Sequence, residues 1–352
     1  MADASPTRLA KRKPPTKVPP SRQYVLFTQF FGKPDDLSNT IELWDAIPKY
    51  AVTARRQVSL RDDKGRLPVH EYRFEYADRQ CRLEVQPASI KVGDRFQDFY
   101  PSADEELVEE VIRKIFADQR YGLHIAEEAE SWVRFSVQMI RKELAARGKT
   151  RSLDEIKRSI EVLSKTIVSF YVEGEGTEPI YTANTLADLT RVTRAAYTDD
   201  PSALWAARLP ALISKSVNEL TYRQFNYGTL MTLSSQLARW LHKRLSHNYT
   251  NASVLQPYTV LYSTLRRDSG LLEANRITKN TAFVEQALDE LVERRVLMGW
   301  EKKDRREAKN KVVDVLYTLT ASMDFTKDVK AANGRQKDAR ADGRSAPLLF
   351  QR

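Results

Sequence analysis

Residues 156–172 read IKRSIEVLSKTIVSFYV, and the same arrangement of apolar and polar positions returns at residues 284–300, which read VEQALDELVERRVLMGW. In each copy the apolar residues first recur at the 3.6-residue period of an amphipathic helix and then alternate, as in a strand with one buried face. The matching helical positions are Ile156 with Val284, Ile160 with Leu288, and Leu163 with Leu291. A helix that leads into a strand is therefore predicted twice in one chain.

The residues around the first copy predict two more helices and a hairpin. One apolar stripe begins after Ser102, and a second stripe ends near Gly148. Ser152 and Glu155 have the spacing of a capping box, so the third helix is expected to start there and to run to about residue 165. The strands of the hairpin are predicted at residues 167–173 and 180–186.

The second half repeats this order. Apolar stripes lie within residues 233–245 and 258–265, and a third helix is predicted from about residue 281 to 295. It lacks a capping box, because Val284 stands three residues after Thr281. The predicted strands 296–301 and 312–319 are separated by the basic loop 302–311. Helices followed by a strand hairpin are the order of a winged helix, and the pattern predicts two of them.

The region before the first unit is predicted to be rich in strands. Apolar residues alternate with charged ones on both sides of a turn at residues 77–80: Tyr72, Phe74 and Tyr76, then Cys81, Leu83 and Val85. This pattern is typical of a hairpin with one buried face. The sequence does not decide between two roles for this β-rich region, which could shield the first winged helix or form a dimerisation surface.

The chain is therefore predicted to be an α+β protein with tandem winged-helix domains. Proline and charge at the two ends favour disordered basic tails, because too little apolar surface is present to offset ordering. The predicted divisions are a tail at 1–22, a β-rich extension at 23–100, winged helices at 101–200 and 201–326, and a second tail at 327–352.

Charge and cysteine content limit the partners and the compartment. The formal net charge of +10 favours a polyanionic partner, although a basic protein without a nucleic-acid role has the same composition. The single cysteine excludes a disulfide within the chain and fits a reducing compartment. No signal peptide or membrane-spanning run is apparent, so we expect a cytoplasmic protein with access to DNA and no membrane partner.

A winged helix places the start of its last helix in the major groove and its hairpin against the backbone. The side chains expected to contact double-stranded DNA are therefore basic or hydrogen-bonding residues at those positions. Such groups read base edges or bind phosphate. They are Lys149, Thr150, Arg151, Lys157 and Arg158 in the first unit, and Arg276, Thr278, Lys279, Asn280, Thr281, Lys302, Lys303, Arg305, Arg306 and Lys309 in the second.

The sequence offers little for an enzyme. His242 and His247 are five residues apart, so they do not stack on one helix face as a metal-binding pair would. No glycine-rich phosphate loop is present, and the Gly174–Gly176 pair is typical of a hairpin turn. We therefore expect no catalytic residue, no bound metal and no cofactor.

With these segments identified, the chain resembles the two-winged-helix initiators of plasmid replication, the iteron-binding Rep proteins of the RepA, RepE and TrfA type. The resemblance lies in residues 151–172, 220–245 and 258–300, and it rests on element order and spacing. It does not account for residues 23–100.

The resemblance implies a protein that binds short direct DNA repeats at a plasmid origin through helices at about 152–165 and 279–295. It further implies opening of an AT-rich segment and recruitment of a host initiator, helicase or sliding clamp. Monomers would bind the origin, and homodimers would repress the initiator's own promoter, which contributes to copy control.

Two alternatives to an initiator remain open from the residues. A tandem winged-helix transcriptional regulator, or autorepressor, has almost the same sequence features but binds a palindrome without melting it. A structural protein that uses its winged helices as protein docks would bind DNA weakly and without salt dependence.

Overall fold

The computed structural model describes residues 37–118, 120–192, 204–219, 221–307 and 310–345. The predicted tail at 1–22 and residues 346–352 lie outside this part of the chain. The described N-terminal region contains five strands and two short helices: β1 (Leu37–Thr40), α1 (Glu42–Ala46), α2 (Ala54–Leu60), β2 (His70–Tyr76), β3 (Arg79–Gln86), β4 (Ala88–Val92) and β5 (Arg95–Phe99). The hairpin predicted around residues 77–80 is confirmed, since β2 and β3 pair with Phe74 opposite Cys81.

The first unit has the predicted three helices and hairpin. Its elements are α3 (Ala103–Phe116), β6 (Gly122–Ile125), β7 (Glu130–Phe135), α4 (Val137–Ala146), α5 (Leu153–Lys165), β8 (Ile167–Val172), β9 (Tyr181–Asn184) and β10 (Ala187–Thr190). The capping box is confirmed: the Glu155 amide donates to Ser152 Oγ at 3.2 Å, and the Ser152 amide donates to the Glu155 carboxylate at 2.7 Å. Val111, Ile140 and Ile160 bury the inner faces of the three helices.

The β2–β3 hairpin is part of the first unit's sheet, whose strand order is β2-β3-β8-β9. Leu83 of β3 lies opposite Phe170 of β8, and both side chains are buried. The structure shows the hairpin extending the first unit's sheet through β8. The other role that the sequence left open, a dimerisation surface, stays a prediction.

The second unit follows the winged-helix order closely. The remaining elements are β11 (Trp205–Arg208), α6 (Ala211–Glu219), β12 (Arg223–Asn226), α7 (Tyr227–Thr232), α8 (Gln236–Asn248), β13 (Tyr258–Leu261), α9 (Tyr262–Ser269), α10 (Ile277–Glu293), β14 (Leu297–Arg306), β15 (Val312–Ala321) and α11 (Met323–Ser345). Strand β13 pairs with β15, which pairs with β14, so the short strand before α9 completes the sheet of the wing. Strand β11 instead pairs with β7 and β10 of the first unit.

Three predicted boundaries are corrected. Helix α10 begins at Ile277, four residues before the expected start, so residues 278–281 lie within its first turns. Strand β14 extends to Arg306, which places the first half of the expected loop 302–311 on a strand. Residues 327–345 of the expected disordered tail belong to α11. Phe325, Val329 and Ala332 recur at helical spacing and are buried, and this burial stabilises a helix in a segment of polar composition.

A network of buried charges joins the two units through α3 and α8. Arg239 of α8 donates to Glu106 of α3 at 2.7 Å, and both side chains are at most 6% exposed. One turn further along each helix, Lys243 hydrogen-bonds Glu110 and also lies 3.3 Å from Asp45 of α1.

Arg113 of α3 closes this network by donating to Asp45 at 2.7 Å. Burial alone would raise the pKa of Asp45, but Arg113 and Lys243 outweigh that effect and hold the pKa well below its usual value. The carboxylate is therefore charged at neutral pH and binds both cations. Buried charges require partners in a fixed geometry, so the network sets how the units are placed relative to each other.

We expect Arg239→Met to lower the free energy of unfolding by about 3–5 kcal/mol, because Glu106 would be left buried without its cation. Adding Glu106→Leu should restore most of the loss, since the unpaired charge is then removed. Lys215→Met, at an exposed 3.8 Å pair with Glu219, is the control and should change stability by less than about 0.5 kcal/mol. Urea unfolding measures all three variants, and an equal loss in the single and double variants would contradict this role of the pair.

Candidate nucleic-acid interface

Helix α10 separates a buried face from a polar outer face. Val284, Leu288 and Leu291 are fully buried and hold the helix on the second core. The outer face is exposed and shares a stripe at helical spacing: Lys279, Ala282, Phe283 and Gln286. In a winged helix this face enters the major groove.

Phe283 is a candidate contact that the sequence analysis missed. Its side chain is 59% exposed although it lies on a helix whose other large apolar residues are mostly buried. An aromatic ring on a groove-facing helix can pack against the methyl group of thymine. The spacing Lys279–Phe283–Gln286 is visible in the sequence, but the sequence analysis considered only basic and hydrogen-bonding residues there and so passed over Phe283.

Asn280 was predicted to contact DNA, but the structure contradicts this prediction. The side chain is 1% exposed and its amide is used within the protein: Nδ2 donates to the Tyr262 hydroxyl at 2.8 Å and to the Ala274 carbonyl at 2.9 Å, while Oδ1 accepts from the Ala274 amide at 3.0 Å. These bonds fix the loop that enters α10. Asn280 therefore has no free group for a base.

The neighbouring predicted residues remain accessible. Arg276 is the N-cap residue of α10, and Arg276, Thr278 and Lys279 are exposed. Thr281 is half-buried and donates to the Thr278 carbonyl at 3.1 Å. The N-cap and the first two turns thus expose two cations, Arg276 and Lys279, and carry no acidic residue before Glu285.

The second wing consists of β14 and β15 and is exposed along residues 301–307. Lys302 is bound to Glu285 of α10 at 2.7 Å, and Arg306 is bound to Asp304 at 2.5 Å. Lys303 and Arg305 form no ion pair with any residue that the structure describes. Alternation along a strand puts these two on the face opposite Lys302, where they are available to phosphate. Lys309 lies outside the described residues.

The first unit uses two of its predicted DNA contacts internally. Lys149 donates to the carbonyl of Leu233 at 2.8 Å, and burial lowers the pKa of its ammonium. Lys149 therefore joins the two units. The prediction that it contacts DNA is wrong, because its ammonium group is used within the protein. Arg151 donates to Asp104 at 2.6 Å, which ties the start of α5 to the start of α3 and leaves the side chain 31% exposed.

The remaining candidates of the first unit are exposed but partly neutralised. Thr150, Lys157 and Arg158 face solvent, and Lys157 lies 3.4 Å from Asp154 on the same helix. Lys165 pairs with Glu161 at 2.7 Å. The outer face of α5 thus has acids and bases in equal number, unlike the start of α10.

The two wings also differ in charge. The connection between β8 and β9, residues 173–180, has three exposed acids, Glu173, Glu175 and Glu178, and no basic residue. Glu173 and Glu175 pair with Arg73 and Arg79 of the β2–β3 hairpin. We refer to this connection as the acidic wing. Its composition is readable from the sequence, but the prediction of DNA contacts considered only basic and hydrogen-bonding residues that favour binding.

The part of the chain that the structure describes has no group of three or more potential metal ligands from His, Cys, Asp and Glu. Within the same residues, no helix is both long and apolar enough to cross a membrane.

No model of a known protein family matches the chain, and no curated protein matches its sequence. Solved structures similar to it include two of domains 2 and 3 of RctB. The first, of a selenomethionine derivative, has a TM-score of 0.46 and 14% identity over 78% of this chain and 99% of that one. The second has a TM-score of 0.43 and 13% identity over 78% of this chain and 98% of that one.

A third similar structure is the Pi initiator protein in complex with iteron DNA. Its TM-score is 0.40, with 10% identity over 62% of this chain and 94% of that one. The winged-helix assignment made here rests on the order of this chain's own helices and strands.

Asn280 and Lys279 provide a direct comparison between a structural and a binding residue. Asn280→Ala should lower the free energy of unfolding by about 1–3 kcal/mol, because buried polar groups of the loop lose their partners. Lys279→Ala should leave stability nearly unchanged and weaken DNA binding. Thermal unfolding and fluorescence anisotropy with a labelled duplex separate the two effects. The assignment is wrong if Lys279→Ala loses stability while its DNA affinity is retained.

Proposed function

We propose that this protein initiates plasmid replication by binding direct DNA repeats at the origin through its two winged helices. The observation that carries the proposal is the second unit, in which a groove-sized helix exposes Lys279, Phe283 and Gln286 beside a basic wing. The first unit is held to it by buried charges, so both would bind one duplex as a single body.

The charge distribution supports specific roles for the elements of the second unit. Helix α10 would enter the major groove with Lys279 and Gln286 near base edges. Lys303 and Arg305 would bind phosphates beside the groove, which positions the helix without reading sequence. The first unit would occupy the adjacent groove through α5, where Lys157 and Arg158 are the exposed cations.

The later steps are carried over from the resemblance noted in the sequence. After binding, the protein would open a neighbouring AT-rich segment and recruit the host initiator, helicase or sliding clamp. Homodimers would act at the initiator's own promoter and so contribute to copy control. These roles require binding and assembly in the cytoplasm, with no chemical step and no cofactor.

The second wing gives a prediction with an internal control. Lys303→Ala with Arg305→Ala should lower affinity for all duplexes and reduce the magnitude of the salt slope by about 0.9 per lost phosphate contact. Lys302→Ala with Arg306→Ala removes the same charge, but these side chains already bind Glu285 and Asp304, so the slope should change less. Binding titrations between about 50 and 200 mM salt measure both. Equal slopes for wild type and the Lys303–Arg305 variant would contradict phosphate contact by this face.

The initiator and the regulator predict different DNA. We expect duplexes selected by the protein from the DNA flanking its own gene to contain direct repeats. Thymines in a neighbouring AT-rich tract should become reactive to permanganate when the protein binds a supercoiled template. A palindromic site whose thymines stay protected would contradict the initiator and favour a winged-helix regulator.

A further inference from the structure

The β4–β5 hairpin lies against α5 of the first unit. Ala88 and Ile90 are buried against Val162, a helix residue on the flank of the first core. Lys165 donates to the carbonyl of Ser89 at 3.3 Å at the end of the same helix. The hairpin therefore borders the helix that the proposed function places in a groove.

The base of this hairpin is held firmly. Gln57 donates to the Tyr100 carbonyl at 2.9 Å and accepts from the Tyr100 amide at 3.1 Å, immediately after β5. Asp98 accepts from the Leu67 amide at 3.1 Å and pairs with Arg66 at 3.2 Å. These contacts make the hairpin a fixed projection beside α5.

Its tip exposes two basic and two apolar side chains. Phe96 is 54% exposed and Val92 is 48% exposed. Lys91 and Arg95 are exposed as well, and neither forms an ion pair within the described ranges of the chain. Asp94, in the turn, is the acidic residue of the tip.

The acidic wing leaves the first unit without the phosphate-binding element that a winged helix normally uses. Glu173 and Glu175 pair with Arg73 and Arg79, so the connection offers no cation of its own to a phosphate. Glu178, its third exposed acid, would meet the DNA backbone with like charge, which opposes contact.

Helix α5 adds little positive charge, because Lys157 and Lys165 are paired with acids on the same helix and only its exposed Arg158 has no ion pair among the described residues. A second source of positive charge next to α5 would therefore strengthen the hold of the first unit on DNA.

We propose that the β4–β5 hairpin is the DNA-contacting wing of the first unit. Lys91 and Arg95 bind phosphates, while Phe96 and Val92 pack against the sugars and bases of the minor groove. Apolar side chains beside basic ones are the composition of elements that enter that groove. The inference rests on the proposed function, because it assumes that α5 lies on DNA.

A single-thiol variant tests the position of the hairpin. Cys81 is the one cysteine of the chain and is buried, so Phe96→Cys introduces one accessible thiol for a tethered iron chelate that cleaves nearby DNA. Lys303→Cys marks the second wing in the same way, and wild type treated with the same chelate measures background cleavage from Cys81. The probe is a duplex selected by wild type from a random pool.

We expect cleavage from residue 96 within the bound site, about one helical turn from the cuts made from residue 303. Cleavage from residue 303 alone would overturn the hairpin proposal and leave the proposed function standing. No selection of any duplex by wild type would instead contradict the proposed function itself.

A charge-matched comparison tests the contacts. Lys91→Ala with Arg95→Ala should lower affinity for every duplex and reduce the salt slope by about 1.8, which is two phosphate contacts. Lys215→Ala with Lys330→Ala removes the same charge from α6 and α11, outside the helices and wings assigned to DNA, and should leave the slope nearly unchanged. Far-ultraviolet circular dichroism confirms that both variants fold. Equal slopes for the two variants would overturn the proposal, as expected if the tip were instead a docking point for a protein.

Discussion

The ion pairs between α3 and α8 are the contact on which the arrangement of this protein depends. Glu106 with Arg239 and Glu110 with Lys243 connect α3 of the first unit to α8 of the second, and all four side chains are nearly excluded from water. Each charge is expensive to bury and is tolerated only in register with its partner, so sliding one helix along the other would leave charges unpaired. Hydrophobic packing alone has no such directional requirement. The network therefore makes the two winged units into one body with a fixed spacing between α5 and α10, which the proposed recognition of adjacent grooves would require.

Local patterns in the sequence were sufficient to locate most of the two units. The capping box at Ser152 placed the start of α5 within one residue, because both of its partners lie within three positions of each other. Long-range pairings were not accessible in the same way. The alternating residues of β2 and β3 showed that one face was buried, but nothing local indicated that β3 would pair with β8. The ion network was hidden for a related reason: charged residues spaced along a helix usually mark a solvated face, and only the partner helix shows that Glu106 and Glu110 are inside.

In the candidate interface too, some features follow from local sequence and others appear only in the folded structure. Exposed cations at the start of α10 and on the second wing follow from composition and element order, and the structure leaves Lys279, Lys303 and Arg305 accessible. Asn280 and Lys149 have suitable chemistry for DNA but are used by the fold, one to fix a loop and the other to join the units. Opposite charge on the two wings makes the units unequal. Under the proposed function, the second unit has the stronger electrostatic complement to DNA, and the first would rely on α5 and the neighbouring β4–β5 hairpin.

Methylation interference tests the central claim most directly, because guanine N7 lies in the major groove and its methylation blocks a helix that enters there. The duplex would be one that the full-length protein selects from a random pool. Two rigidly joined winged helices predict two clusters of interfering guanines on one face of the duplex, about 10 base pairs apart. A single cluster, or two clusters whose separation varies among selected duplexes, would contradict a fixed pair of groove-binding units.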